Sequence, residues 1–88
     1  MPIFSTQRDP NAQKKFIEWI NDNSEGFFIN CKGRTDMMLH KGKCPHQNPY
    51  NWAHQTGNLK ACSDDITKLE HWAEVEGVTS LKKCRDCF

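Results

Sequence analysis

The amino-acid sequence predicts a small α+β domain with two helices and a short antiparallel sheet of about three strands. Two segments repeat apolar residues at helical spacing, and three short apolar runs between turn residues have the length of strands. The 88 residues suffice for one domain, so we assign residues 1–88 to a single unit. Because only 36% of the residues are hydrophobic, the core is expected to be marginal and to need a metal ion or a cross-link.

The first helix is predicted over residues 10–21. Asp9 suits the N-cap and Pro10 the first helical turn, and the helix is expected to end at the polar residues and glycine that follow. The polar segment 1–9 is expected to be flexible. The apolar residues that recur at helical spacing are Ala12, Phe16, Trp19 and Ile20.

Three strands are predicted after this helix. The apolar run 27–29 and the segment 37–40 flank a turn at 32–34, so together they predict a hairpin. Residues 45–58 are rich in proline, asparagine and glycine and are expected to form a long loop. The segment 58–62 then predicts the third strand.

The second helix is predicted to begin after Ser63, which can cap it. Asp64 and Asp65 would lie in its first turn, where carboxylates interact favourably with the helix dipole. Gly77 is a suitable C-terminal stop. The apolar positions of this helix are Ile66, Leu69, Trp72, Ala73 and Val75.

Two short motifs carry side chains that bind metal ions. The motif His40-x3-Cys44 lies at the end of the second predicted strand, and Cys84-x2-Cys87 follows the second helix. Three sulfurs and one imidazole nitrogen form a closed ligand set that is common at structural zinc sites. We therefore predict that these four residues bind one Zn²⁺ ion, with no coordination position left for a catalytic water.

Other assignments of the cysteines and histidines stay open. Cys62 or His46 could replace His40 as the fourth ligand, although Cys62 also suits a buried position at a strand end. A Cys-x2-Cys pair can be a redox centre, but such a motif normally opens a helix and none follows Cys87 here. Cys31 is expected to be structural rather than reactive.

The order of these motifs resembles a known family. A strand ending in His40-x3-Cys44, then a strand, a helix and Cys84-x2-Cys87, is similar to the Ada-like zinc-binding motif of bacterial DNA-repair and nuclease-associated domains. The resemblance covers about residues 37–87 and implies zinc binding and DNA contact. In that family the first ligand is a cysteine that accepts a methyl group from DNA. Because His40 stands there, methyl transfer is not implied, and the linker through 45–58 is longer than in the family.

Nucleic-acid binding is the first functional expectation. The net charge is only +1, but basic residues cluster around the two ligand motifs while acidic residues dominate 63–76. Basic side chains would contact phosphates, and the loop aromatic residues would stack on exposed bases. The residues assigned to this surface are Lys32, Arg34, Lys41, Lys43, Tyr50, Trp52, Lys60, Lys82, Lys83 and Arg85.

A protein-interaction module, such as a small phage or mobile-element factor, is the alternative. An enzyme is not expected, because the sequence has no P-loop, no His-Glu-x-x-His and no HNH-like cluster. No segment approaches the roughly 20 apolar residues of a membrane span, and no apolar run suggests a secretory signal, so a cytoplasmic location is expected. The odd number of cysteines, five, also disfavours a complete disulfide framework.

Overall fold

The computed structural model describes residues 1–5, 8–33, 36–43, 59–78, 81–85 and 87–88. It has the predicted α+β class, with two helices and a five-stranded sheet among these residues. In chain order the elements are β1 (Ile3–Ser5), α1 (Ala12–Asp22), β2 (Phe27–Gly33), β3 (Asp36–Lys41), β4 (Leu59–Ser63), α2 (Ile66–Val75) and β5 (Lys82–Lys83).

The sheet is mixed, with strand order β1-β4-β2-β3-β5. The first four strands pair antiparallel, and β5 joins the edge of β3 in parallel. The central strand β2 places Phe28 opposite His40 on one side and opposite Cys62 on the other. Because directly paired residues project from the same face, these three side chains form a row across the sheet.

The two faces of the sheet carry different helices. On one face, Phe28 and Cys62 pack with Ala12 and Phe16 of α1. On the other face, a larger cluster of sheet residues packs with two residues of α2. Since alternate residues of a strand point to opposite faces, the interior strands β2 and β4 each contribute to both clusters. The members of the α2-side cluster are Ile29, Cys31, Met37, Leu39, Ala61, Leu69 and Ala73.

The predicted hairpin over residues 27–40 is confirmed, but three strands were too few. β1 occupies residues 3–5, which were expected to be flexible, and pairs with β4. Phe4 of β1 packs edge-on against Phe16, with ring centroids 6.0 Å apart. β5 consists of two exposed lysines and has no apolar pattern to reveal it. The predicted loop 45–58 lies outside the described residues.

Both helices begin slightly later than predicted. The carboxylate of Asp9 accepts the backbone N–H of Asn11 and so holds the turn that precedes α1. Asp65, rather than Ser63, caps α2, because its Oδ1 accepts the backbone N–H of Thr67 at 3.0 Å. Gly77 follows α2 with a φ of 90°, as its predicted stop role requires. Within the described ranges, no helix combines the length and the apolar character needed to cross a membrane.

Candidate metal centre

Parallel pairing of β5 with β3 places Cys84 beside His40. Leu39 pairs with Lys83, so the next residues along the two strands are His40 and Cys84. The backbone N–H of Cys84 donates to the carbonyl of Leu39 at 2.9 Å and fixes this alignment. The short strand therefore brings two predicted ligands together across more than forty residues of sequence.

His40, Cys84 and Cys87 form a group that could hold a metal ion. The ligand atoms of these three residues all lie within 4.8 Å of one another. In a tetrahedral zinc site, metal–sulfur and metal–nitrogen distances of about 2.3 and 2.1 Å place ligand atoms roughly 3.6–3.8 Å apart. An upper limit of 4.8 Å is close to this spacing. We call these three residues the metal centre.

The cysteine pair sits in a turn closed by hydrogen bonds. The backbone N–H of Phe88 donates to the carbonyl of Cys84 at 3.1 Å. The backbone N–H of Lys41 donates to the sulfur of Cys87 at 3.3 Å. This turn therefore links the end of β3 to Cys87 through backbone geometry as well as through the shared cluster.

His40 is the most enclosed member of the metal centre, with 1% of its surface exposed. Its ring stacks on Phe28 at a centroid distance of 5.1 Å and an interplanar angle of 24°. The ring orientation is consequently set by the packing between α1 and the sheet. Neutral imidazole is the form of histidine that binds metal ions.

The predicted ligand Cys44 lies outside the described residues, as does His46, one of the two alternatives to His40. Cys62, the other alternative, is described and is not part of the metal centre. Two strand spacings, about 10 Å, separate Cys62 from His40 in the sheet, and Phe28 lies between them. The structure thus brings together three of the four predicted ligands and separates Cys62 from them.

The two remaining described cysteines are enclosed in the core. Burial raises the pKa of Cys31 to about 12, and it also raises the pKa of Cys62. Lys60 opposes both pKa shifts, but desolvation of the thiolate dominates. At neutral pH both residues are therefore protonated thiols, which neither attack electrophiles nor bind metals readily. The structural role expected for Cys31 fits this environment.

Five of the basic residues predicted to contact phosphates are exposed and lie close in sequence to the metal-centre residues: Lys41, Lys43, Lys82, Lys83 and Arg85. We call this set the basic edge. One of them, Lys43, forms an ion pair with Glu25 at 2.6 Å. Arg34, Tyr50 and Trp52 lie outside the described residues, and so does the side chain of Lys32.

Lys60 was wrongly placed in the phosphate-contacting set. Only 2% of its surface is exposed, because β4 is an interior strand covered on both faces. Its ammonium group donates to Oδ1 of Asn30 at 3.0 Å and lies 5.3 Å and 5.4 Å from the ring centroids of Phe16 and Phe28. Lys60 is therefore part of the α1-side core and is unavailable to a phosphate.

Phe88 was not among the predicted site residues, although it adjoins the metal centre. Its ring stacks on Phe27 with centroids 6.2 Å apart and an interplanar angle of 19°, while 44% of the residue remains exposed. The ammonium groups of Lys41 and Lys83 lie 5.3 Å and 5.7 Å from the ring centroid. Its position directly after Cys87 was the only sequence feature that pointed to it.

The comparisons with known proteins give no relatives. No protein-family model matches this chain, and no curated protein or solved structure is significantly similar to it. A cluster of one histidine and two cysteines occurs in many metal sites and is not specific to the Ada-like motif. The resemblance to that motif therefore stays a prediction from the order and spacing of the ligands.

Proposed function

We propose that this domain is a zinc-stabilised module that binds nucleic acid through basic residues around its metal centre. The observation that carries the proposal is the coincidence of two features at one end of the sheet. His40, Cys84 and Cys87 converge there, and the exposed residues of the basic edge all lie within three residues of His40 or Cys84 in the chain. Neither feature alone would distinguish a binding module from a domain whose metal site only stabilises the fold.

Zinc is the metal that best suits the donor set. Two thiolates and one imidazole favour zinc over calcium or magnesium, which prefer oxygen ligands. Cys44 would complete a closed set of four protein ligands, as the motif spacing predicts. With four protein ligands the ion would have no open position, so its role would be structural.

The ion would stabilise the weakest part of the sheet. β5 is only two residues long and both of its side chains are exposed, so burial of apolar surface contributes little to its docking. A metal bound by His40 on β3 and by Cys84 and Cys87 after β5 would hold this edge in place. In small domains of this kind, the free energy of metal binding contributes directly to folding.

The basic edge supports a role in phosphate binding. Lys82 and Lys83 project from an edge strand, and Lys41 extends from the end of the neighbouring strand. Lysines on an edge strand also prevent unwanted strand pairing, which is the competing explanation. The net charge of +1 implies that any binding depends on this local cluster rather than on the whole surface.

A salt series of binding isotherms with single-stranded and duplex DNA tests this function. Five phosphate contacts predict an affinity that falls roughly 100- to 500-fold between about 50 and 200 mM salt. Replacing Lys82 and Lys83 by glutamine should reduce the slope of log affinity against log salt by about 1.4–1.8. Lys14→Gln and Lys68→Gln, at exposed positions on the helices, serve as matched controls and should leave the slope unchanged. Absence of binding at low salt, or equal effects of all four lysines, would contradict the proposal.

Protein interaction is the second candidate and rests on the outer face of α2. Val75 is 70% exposed at the end of this helix, and Glu70, Glu74 and Glu76 of the same segment are exposed as well. An exposed apolar side chain on an acidic segment is suited to a partner with a basic, partly apolar surface. A partner recovered by the wild-type domain and lost with Val75→Glu, while Lys83→Gln still recovers it, would favour this function over nucleic-acid binding.

A further inference from the structure

We infer that Phe88, with Lys41 and Lys83, forms a stacking site for a base of single-stranded nucleic acid. This inference rests on the proposed nucleic-acid function and gives it a specific contact. The sequence predicts base stacking on Tyr50 and Trp52, in the predicted loop 45–58. The described part of the chain instead presents a different aromatic side chain beside the metal centre.

The first argument is the orientation of the Phe88 ring. It lies nearly parallel to the ring of Phe27, so the two aromatic groups already form a short stack. Because 44% of Phe88 is exposed, part of this stack faces solvent, and a further planar group could be added there once the lysine side chains move aside. Bases stack on exposed aromatic rings in this manner irrespective of their sequence, because each base has a π face.

The second argument is the charge around the ring. Lys41 and Lys83 place their ammonium groups within 6 Å of the ring centroid of Phe88, and both residues are exposed. Exposed cation–π contacts are weak, so these flexible side chains can exchange the ring for a phosphate. A nucleotide whose base covers the ring would then have its phosphate within reach of either lysine. The charge and the aromatic surface are thus complementary to the two parts of a nucleotide.

The third argument is that the backbone around this ring is held in place. The backbone N–H of Phe88 donates a hydrogen bond to the carbonyl of Cys84, and the backbone N–H of Lys41 donates one to the sulfur of Cys87. A loaded metal centre would fix both segments at once. The stacking surface would be preorganised, which lowers the entropic cost of binding a flexible strand.

Single-stranded rather than duplex nucleic acid is the ligand that this geometry favours. The bases of a duplex are already stacked on one another and present only their edges in the grooves. The face of a base becomes available to an aromatic ring when the strand is unpaired. The site is therefore expected to bind a strand that carries bases more tightly than an abasic strand with the same number of phosphates.

The test compares a short oligothymidylate with the same oligomer made abasic, using wild-type domain loaded with zinc. Wild type should bind the oligothymidylate more tightly, and Phe88→Leu should reduce this preference by roughly five- to hundredfold, the effect of losing one stack. Phe88→Trp should keep or increase the preference, because tryptophan offers a larger π face. Lys83→Gln should lower the salt slope by about 0.7 and leave the preference for bases unchanged. Zinc content and melting temperature are measured for every variant, so that a damaged metal centre is recognised.

The outcomes separate this inference from the function on which it rests. If no oligomer binds at low salt, both proposals fail. If the oligomers bind but Phe88→Leu weakens both equally, or Phe88→Trp lowers the preference for bases, the stacking site is wrong while nucleic-acid binding stands. An oligoglutamate of equal charge that competes as well as the oligothymidylate would also overturn the stacking site, because charge alone would then explain binding.

Discussion

Replacement of one buried cysteine at a time separates a metal ligand from a core thiol. Cys84 is 3% exposed and Cys62 is fully buried, so the two are matched in burial and chemistry. Only Cys84 belongs to the metal centre. Substituting serine for either one places a hydroxyl in a poorly hydrated site, at a cost of about 1–3 kcal/mol. The difference between the variants therefore reports ligation rather than burial.

The size of that difference follows from the zinc binding energy. Structural zinc sites contribute about 10–16 kcal/mol, or roughly 2.5–4 kcal/mol for each of four ligands. Cys84→Ser should thus lose about 3.5–7 kcal/mol in total, which is comparable with the whole stability of a small domain. Cys62→Ser should lose only the burial term and remain folded.

Thermal and urea unfolding, monitored by circular dichroism with and without a zinc chelator, measure this effect. Chelation should strongly lower the stability of the wild type and of Cys62→Ser. It should have a smaller effect on Cys84→Ser, because that variant has already lost about one quarter of the binding energy of its site. If Cys84→Ser responded to the chelator as the wild type does, or if Cys62→Ser had lost the response, the assignment of ligands would be wrong.

Three further predictions concern the fold. Phe28→Ala, which removes the ring between Phe16 and His40, should lower the free energy of unfolding by about 3–5 kcal/mol in a urea titration; a loss below about 1 kcal/mol would contradict the packing described here. The free energy of unfolding should fall as the pH rises above 9, by about 1.4 kcal/mol per pH unit for each buried thiol, because the unfolded thiol ionises near 9 whereas the folded pKa of Cys31 is about 12. Cys31→Ala should reduce this slope. An unchanged slope would show that burial of Cys31 does not couple its ionisation to folding. Gly77→Ala should cost about 1–2 kcal/mol, since φ is 90° there, and an unaltered melting temperature would exclude that backbone conformation.

The elements that the sequence predicts correctly are those with a local pattern. α1 and α2 bury residues at helical spacing, and the hairpin of β2 and β3 is bounded by turn residues on both sides. β1 and β5 lack such a pattern because they are edge strands of only three and two residues. Their positions depend on pairing with β4 and β3, which lie far away in sequence. Non-local pairing of this kind leaves no periodicity to detect.

In the candidate site, too, the residues predicted correctly belong to a local motif, whereas the residues misassigned or missed depend on contacts made by the sheet. The spacing of Cys84 and Cys87 predicts a metal-binding turn, because both ligands come from one local segment. Lys60 was misassigned because a lysine in a sequence gives no indication of whether its strand is interior; here Asn30 and two aromatic rings compensate its burial. Phe88 was missed because its partners, Phe27 and Lys41, are brought to it only by the sheet.

Metal analysis of the purified domain tests the central claim most directly. Elemental analysis combined with X-ray absorption at the zinc edge gives the metal content and the nature of the ligand atoms. The account predicts about one zinc ion per chain, bound by three sulfurs at about 2.3 Å and one nitrogen at about 2.0–2.1 Å. Protein that is folded without metal, or zinc bound mainly by oxygen, would contradict it.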